Sequence, residues 1–380
     1  MAEQLRLVHC STVDLSLWLL LATELRLDRQ AGFRVYGMSA PGPFGPQLQD
    51  LGVTHLPVPM TRNWSPWRDV VAFATLWRAL RRLQPHIVHT HTPKAGVIGR
   101  VAARLARVPV VVNTSHGLYV RDGDPRFKRA LVLLVEAIAA QFSDFELYQN
   151  DDDRRALRRF VSSGRSRVVG NGIDLKRFRR SEHARAIIRA ELGIGEHDVL
   201  IGGVGRIVWE KGVAEFGEAA RALAEEAKFV WIGPVEEGPA EKALPAHVQR
   251  LGMREDMPDI YSALDIFVLP SYREGFSRSA MEAAACGCAL VLSDIRGCRE
   301  VGRHGEHLLL VPPRDSKALT AAVRGLIADQ ARRASLAHAG RERATERFDQ
   351  RAVAQASIET YAAVARRKRL SWADHPSLSP

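Results

Sequence analysis

The sequence has only four cysteines, at positions 10, 286, 288 and 298, and no His/Cys quartet at the spacing of a zinc site. That excludes a disulfide framework and a structural metal module, and it predicts free thiols in a reducing, intracellular compartment. The chain also lacks any stretch of about 18 uncharged apolar residues, so no membrane-spanning helix is expected. The best candidate, Leu15 to Leu21, is too short and is soon interrupted by Glu24 and Arg26. Glu3 comes early and no basic segment precedes that run, which is unlike a secretory leader. Aromatic residues are sparse, 7% of the total, and are not interleaved with the basic clusters. No nucleic-acid module is recognisable, and nucleic acid is not expected as a partner.

Positive charge, by contrast, is plentiful. The formal net charge is +11, with clusters at Arg78-Arg81-Arg82, Arg154-Arg155-Arg158-Arg159 and Lys176-Arg177-Arg179-Arg180. Such an excess fits solvated helix faces, an anionic small substrate or an anionic membrane surface. Trp64, Trp67 and the basic helix running to Arg82 leave peripheral membrane contact open.

At 380 residues the chain exceeds what one hydrophobic core organises, which predicts two domains. Short apolar runs alternate with longer amphipathic stretches, the pattern of βα units on parallel sheets. Leu5–His9, Phe33–Met38, Ile87–Thr90 and Val110–Thr114 read as strands. Leu15–Ala31, Trp67–Leu83, Lys94–Ala106 and Phe127–Gln141 read as helices between and after them. Near Gly170-Asn171-Gly172-Ile173-Asp174 the pattern restarts, with strands at Val199–Val204, Phe229–Ile232, Ile266–Leu269 and Ala289–Leu292. The expected boundaries are 1–168 for one unit and 169–352 for the second. A helix over 353–370 returns to the first unit, and a disordered tail spans 371–380. The fold class is α/β, two Rossmann-like domains facing across a cleft, because such sheets bind ligands beyond the carboxyl ends of their strands.

The richest stretch is Pro270-Ser271-Tyr272-Arg273-Glu274-Gly275-Phe276-Ser277-Arg278-Ser279-Ala280-Met281-Glu282-Ala283. A strand ends, a glycine turn follows and a helix opens, leaving unpaired N–H groups that suit a phosphate or a sugar hydroxyl. Glu274 in the loop and Glu282 in the helix can each hold hydroxyls of one ligand. Upstream, Gly205-Arg206-Ile207-Val208-Trp209-Glu210-Lys211-Gly212 follows a strand, and its guanidinium and ammonium can neutralise a diphosphate leaving group.

Together these two stretches resemble the Glu-x7-Glu motif and the arginine–lysine pair of the family-4 retaining glycosyltransferases, which have the GT-B architecture. Asn171-Gly172-Ile173-Asp174, Met257-Pro258-Asp259-Ile260-Tyr261 and Ser293-Asp294-Ile295-Arg296-Gly297-Cys298-Arg299-Glu300 resemble further segments of that family. The resemblance implies that Arg206 and Lys211 bind the donor diphosphate and Glu282 the ribose. It also implies that Glu274 meets the transferred sugar beside the backbone of Gly275, Phe276 and Ser277. No metal and no cofactor are implied, only a nucleotide-sugar cosubstrate, with uracil as the expected base. Asp151-Asp152-Asp153 is better read as charge at a helix start than as a metal site.

In the first unit, His89-Thr90-His91-Thr92-Pro93-Lys94-Ala95-Gly96 is similar to members acting on polysaccharide or lipid-linked substrates. Thr92 and Lys94 are therefore acceptor-side residues, with Lys94 suited to an acceptor phosphate. His116, in Ser115-His116-Gly117, resembles the family's cleft histidine. Where many members carry a Gly-Gly loop after the first strand, this chain has Cys10-Ser11-Thr12-Val13, which offers Ser11 and Thr12 as hydroxyl-bearing site residues and leaves His9 to packing.

The resemblance thus implies retaining transfer of a hexosyl or N-acetylhexosaminyl group to a lipid-linked sugar, a polysaccharide or a small molecule. His116, Glu274, Arg206 and Lys211 are its catalytic set, and its place is the cytoplasm or the inner face of the plasma membrane. Two other readings stay open on sequence alone. One is a GT-B epimerase or phosphorylase; the other is a non-catalytic basic protein that binds a membrane or nucleic acid.

Overall fold

The computed structural model describes residues 4–119, 124–236 and 238–379. The chain divides into two compact units, 1–170 joined by 350–380, and 171–349.

The N-terminal unit is built from strands β1 (Arg6–Val13), β2 (Arg34–Ala40), β3 (Thr54–Pro57), β4 (Ile87–His91), β5 (Val110–Ser115), β6 (Phe145–Tyr148) and β7 (Ser166–Val168). They pair in parallel in the order β3-β2-β1-β4-β5-β6-β7. Its helices are α1 (Asp14–Gln30), α2 (Gly45–Asp50), α3 (Pro66–Leu83), α4 (Pro93–Leu105), α5 (Arg126–Ala139) and α6 (Asp151–Leu157). Alternate residues of each strand feed two cores. Leu7, Val35, Ile87 and Val110 pack beneath α1, while Val8, Met38, Val88 and Val111 pack beneath α3 and α4. Asp151–Asp153 form the first turn of α6, where Asn150 supplies the cap by accepting from the Asp153 N–H at 2.7 Å.

The C-terminal unit starts with α7 (Glu182–Glu191) and contains β8 (Leu200–Val204), β9 (Lys228–Ile232), β10 (Gln249–Gly252), β11 (Ile266–Leu269), β12 (Ala289–Ser293) and β13 (Leu309–Val311). Their order is β10-β9-β8-β11-β12-β13, again parallel. Helices α8 (Val213–Ala222), α9 (Met257–Ala263), α10 (Arg278–Ala285), α11 (Arg296–Arg299), α12 (Ser316–Ala328) and α13 (Gln330–Arg347) complete it. The last helix, α14 (Gln350–Arg367), belongs to the N-terminal unit and buries Ile358, Tyr361 and Val364 in the core that α1 covers.

The tail does not follow the expectation of disorder from Ser371. Ala373 and Leu378 are buried in that same core, and Trp372 meets His86 edge-on at 5.5 Å. Two apolar anchors in a short segment outweigh its chain entropy, a balance that the polar and proline content conceals; Pro380 lies outside the described residues. Leu378→Ala is expected to destabilise the protein by roughly 2–3 kcal/mol in denaturant unfolding. An unchanged midpoint would show that the tail contributes nothing to that core.

Candidate active site

In each sheet the strand order reverses once, between β8 and β11 and between β1 and β4. Connections leave such neighbours in opposite directions, so a crevice opens at their carboxyl ends.

At the β8/β11 crevice the loop after β8 is stitched to the loop after β11. The Tyr272 N–H donates to the Glu210 carbonyl at 2.9 Å, and Arg273 Nε lies 3.1 Å from the Glu210 carboxylate. Gly212 makes this approach feasible. Its φ is +69°, and a Cβ there would lie 2.1 Å from the Pro270 carbonyl oxygen. Lys211 Nζ then donates to Glu274 Oε1 at 2.7 Å. Arg206, half exposed, pairs with Glu236 at 2.5 Å. Gly275, Phe276 and Ser277 carry the loop into α10. Phe276 is buried against Phe348 and its carbonyl accepts from Asn171 Nδ2 at 3.2 Å. The Ser277 hydroxyl is the helix cap, accepting from the Ala280 N–H at 3.3 Å. Behind the loop, Gly297 approaches so closely that a Cβ would lie 2.5 Å from the Glu274 carbonyl oxygen.

Glu282, inside α10, accepts a hydrogen bond from the Tyr261 hydroxyl at 3.2 Å. Burial pushes its carboxyl up to about 7 against the opposing pull of Arg278, Tyr261 and Arg177. Burial, with the charge of Glu282 next, raises the Tyr261 hydroxyl well above its usual range.

At the β1/β4 crevice, Thr12 and Thr92 join their hydroxyls at 2.8 Å, and the Thr12 N–H donates to the same Thr92 oxygen at 3.1 Å. The Ser11 hydroxyl turns back to the Val13 carbonyl at 2.8 Å. Thr92 holds φ +63°, a strained value for a β-branched residue, as it turns the chain into α4. His116, just past β5, lies between His91, with Nδ1 to His116 Nε2 at 3.1 Å, and Gln149, with Nε2 to His116 Nδ1 at 2.9 Å.

Two descriptions match the sequence: "Glycosyl transferases group 1" over residues 198–329, and "Glycosyl transferase 4-like domain" over 18–172. The chain belongs to this glycosyltransferase family. It is 29% identical over 270 residues to the Escherichia coli UDP-Gal:alpha-D-GlcNAc-diphosphoundecaprenol alpha-1,3-galactosyltransferase, covering 67% of this chain and 70% of that one. A Campylobacter jejuni N,N'-diacetylbacillosaminyl-diphospho-undecaprenol alpha-1,3-N-acetylgalactosaminyltransferase is 29% identical over 83% of this chain and 87% of its own. The crystal structure of Anabaena HepE in complex with UDP and glucose superposes with a TM-score of 0.79, at 19% identity, over 95% of this chain and 100% of that one. Two parallel-sheet α/β units of this kind are the GT-B fold, and the protein is a glycosyltransferase.

Within the enzyme, the Lys211 and Glu274 side chains touch, and Glu282 follows in the helix their loop opens. Arg206 shares the β8 loop but is turned to Glu236. Lys94 departs from its expected place. Its side chain is 3% exposed, and its ammonium is ion-paired to Asp69 at 2.6 Å and 3.2 Å from the Thr61 hydroxyl, with the Trp64 ring 5.2 Å away. A lysine at a helix start suggests a phosphate ligand, but here a carboxylate from α3 satisfies it first. His9 is more than packing, because it is hydrogen-bonded to Asp28 and His91. Glu210, Tyr261 and Gln149 are site residues that the motifs do not single out individually. Glu210 and Tyr261 lie inside the stretches that carry the resemblance; Gln149 has no local signal.

No carboxylate is held comfortably at the Glu282 position. Its folded-state value lies above the ordinary 4.5, so the folded protein binds the extra proton between about 4.5 and about 7. Stability is therefore lost as pH rises through that window. Glu282→Gln is expected to match the wild type near pH 5 and to exceed it at pH 8 by roughly 1–3 kcal/mol in denaturant unfolding. Equal midpoints at pH 8 would contradict the strain on this carboxylate.

Proposed function

We propose that the enzyme transfers a hexosyl or N-acetylhexosaminyl group, with retention, from a UDP-sugar to a hydroxyl of a lipid-linked sugar or growing polysaccharide. The observation that carries this reading is the Lys211–Glu274 contact at the β8/β11 crevice, with Arg206 on the same loop and Glu282, its side chain largely shielded, in the adjoining helix. Arg206 and Lys211 supply the charge that a departing diphosphate needs, so no metal is required in this scheme. Glu282 takes the ribose hydroxyls, and Glu274, released from Lys211, takes hydroxyls of the sugar. The leaving diphosphate accepts the acceptor proton on the face it departs from, which accounts for retention without an opposite-face nucleophile. The diphosphoundecaprenol acceptor named for the Escherichia coli relative, and its UDP-Gal donor, favour a UDP-sugar and a lipid-linked acceptor.

Arg206→Ala with Lys211→Ala is expected to lower kcat/KM by roughly two to three orders of magnitude, as loss of preorganised charge stabilisation does. A screen of UDP-sugars with mass spectrometry of the products provides the assay. Near-normal turnover in the double variant would remove the proposed mechanism, and conversion of the donor without an acceptor would indicate an epimerase.

We further propose that the enzyme works against an anionic bilayer, at the inner face of the plasma membrane. Among the described residues no helix is long and apolar enough to cross a membrane. Helix α5, however, presents Phe127, Leu131, Leu134 and Ile138 to solvent on one stripe, Phe127 being 76% exposed, with Arg126 and Arg129 exposed at its start. Trp64 lies just before α3 and Trp67, 80% exposed, in its first turn; α3, like α5, packs on α4. Apolar stripes with a basic border bind anionic interfaces. Phe127→Ser with Leu131→Ser is expected to reduce flotation with phosphatidylglycerol vesicles by about tenfold or more, each buried side chain contributing roughly 1.5–3 kcal/mol. Equal flotation of variant and wild type would exclude α5 as the contact.

A further inference from the structure

Beneath the β1/β4 crevice, four side chains form an unbroken line from the interior of the N-terminal unit to its rim. Asp28 meets His9 Nε2 at 2.9 Å, His9 Nδ1 meets His91 Nε2 at 3.0 Å, and His91 Nδ1 meets His116 Nε2 at 3.1 Å. Asp28 and His9 are fully buried and His91 almost so. Asp28 Oδ1 and the neighbouring Glu24 Oε1 have no hydrogen-bond partner among the described residues. Packing alone would fill this place more favourably with apolar side chains, since buried charge with incomplete hydrogen bonding is destabilising.

The line has a direction. A neutral imidazole offers one donor and one acceptor. Burial raises the Asp28 carboxyl, while its hydrogen bond to His9 and the charge of His9 favour the ionised form; an ionised Asp28 only accepts, so His9 donates from Nε2 and accepts at Nδ1. His91 must then donate from Nε2, and His116 must do the same. The remaining atom, His116 Nδ1, is an acceptor, and it faces the Gln149 amide nitrogen, a donor. One set of tautomers satisfies all four contacts along the line.

We propose that Asp28, acting through His9 and His91, holds His116 as the neutral Nε2–H tautomer. Its Nδ1 lone pair then exchanges Gln149 for a substrate hydroxyl and discriminates against a phosphate oxygen. The selectivity rests on the reading that His116 meets substrate; Asp28, His9 and His91 are positioning residues.

The groups around the line favour neutral imidazoles at His91 and His89 and pull in opposite directions at His9. Burial and the adjacent rings hold His91 and His89 well below the usual histidine range. Burial opposes charge on His9, but its hydrogen bond to Asp28, with the charges of Asp28 and Glu24, raises it. Glu24, from α1, is pushed up to about 7 by burial. From β5 and α14, Thr114 and Tyr361 occupy the two nitrogens of His89 at 2.7 and 2.6 Å. His9, His89 and His91 bring ring nitrogens within 4.8 Å of one another, yet these nitrogens are engaged in the bonds above rather than converging on one point.

The test is a long-range 1H–15N spectrum of the full chain labelled at histidine, with resonances assigned by single His→Gln variants. At pH 7.5 the wild type should show His9, His91 and His116 as Nε2–H tautomers, a result independent of whether any Asp28 variant folds. Asp28→Asn should mix or invert the His116 tautomer, shift the acid limb of the kcat/KM profile and lower kcat by about tenfold or more, as loss of a histidine-orienting carboxylate does. Donor KM should stay within about twofold under the same principle, because the donor diphosphate clamp is untouched. His91→Asn serves where Asp28→Asn is unstable. An Nδ1–H tautomer at His116 in the wild type, an unchanged His116 signature in both variants, or one transition metal per chain would overturn the proposal. Full turnover by His116→Ala with the tautomers as stated would overturn the hydroxyl selectivity while leaving the donor-site reading standing.

Discussion

Everything functional in this chain depends on where strand order reverses. A parallel sheet sends all its loops to one end, and most neighbouring loops are covered by the helix that joins them. Only at β8/β11 and at β1/β4 do adjacent strands part company, so only there can two loops both face outward and touch. The C-terminal unit uses its reversal to set a lysine against a glutamate. Its N-terminal counterpart joins two threonine hydroxyls across the gap and runs a line of imidazoles beneath them. The backbone allows the first contact only because Gly212 and Gly297 carry no side chain where the loops converge.

Charge balance in the C-terminal unit follows from that contact. Lys211 neutralises Glu274, and Arg206 is balanced by Glu236, so the loops are not strained by like charges before a ligand arrives. The two pairs differ in strength. Arg206 and Glu236 are both nearly half exposed, and such a pair contributes about 0–1 kcal/mol, so it is easily exchanged for a phosphate. Lys211 and Glu274 are better shielded from water, and their exchange is the larger electrostatic event. Glu282 stands apart, since its carboxyl is buried and destabilised until hydroxyl donors reach it. A site that keeps a carboxylate under strain favours a ligand rich in hydroxyls.

Much of this was legible in the sequence because it is local. Strands β8, β11 and β12 are near-continuous apolar runs, as strands buried on both faces tend to be, whereas β1 and β4 begin apolar and carry His9, His89 and His91 further along. The arginine–lysine and two-glutamate stretches each lie within a single loop and its flanking element, so the family resemblance that implies their chemistry rests on contiguous residues. Edge strands β3, β7 and β10 were not read, being three or four residues of mixed polarity whose pairing is decided by neighbours rather than by their own composition. Lys94 and the tail were misjudged for the same physical reason. Asp69 and the core around Leu5 are far from them in sequence, and tertiary partners override local propensity. Even the histidine line left a trace: His9, His89 and His91 share strand positions with Leu7 and Ile87, on the face that α1 and α14 cover. Alternation marks the face, but nothing local reveals that Asp28 waits beneath it.

The polar interior of the N-terminal unit also accounts for a difference between the two halves. Beside the histidine line, Arg100 is buried between Glu146 and Glu136 at 2.9 and 2.6 Å, and Asn113 joins Thr90 to Glu146. Every member of that cluster comes from a different strand or helix, so each bond fixes the relative position of two elements. Apolar packing tolerates small slips, whereas a hydrogen bond weakens steeply with distance and angle. An interior bonded in this way holds the ends of β4 and β5 to a narrow geometry, and the residues standing on those ends are Thr92 and His116. The C-terminal unit achieves its geometry by loop contacts at the surface, while the N-terminal unit achieves it from below. Substitutions in the latter's core should therefore alter substrate selection even where they leave the fold intact, because the core there is the support of the site.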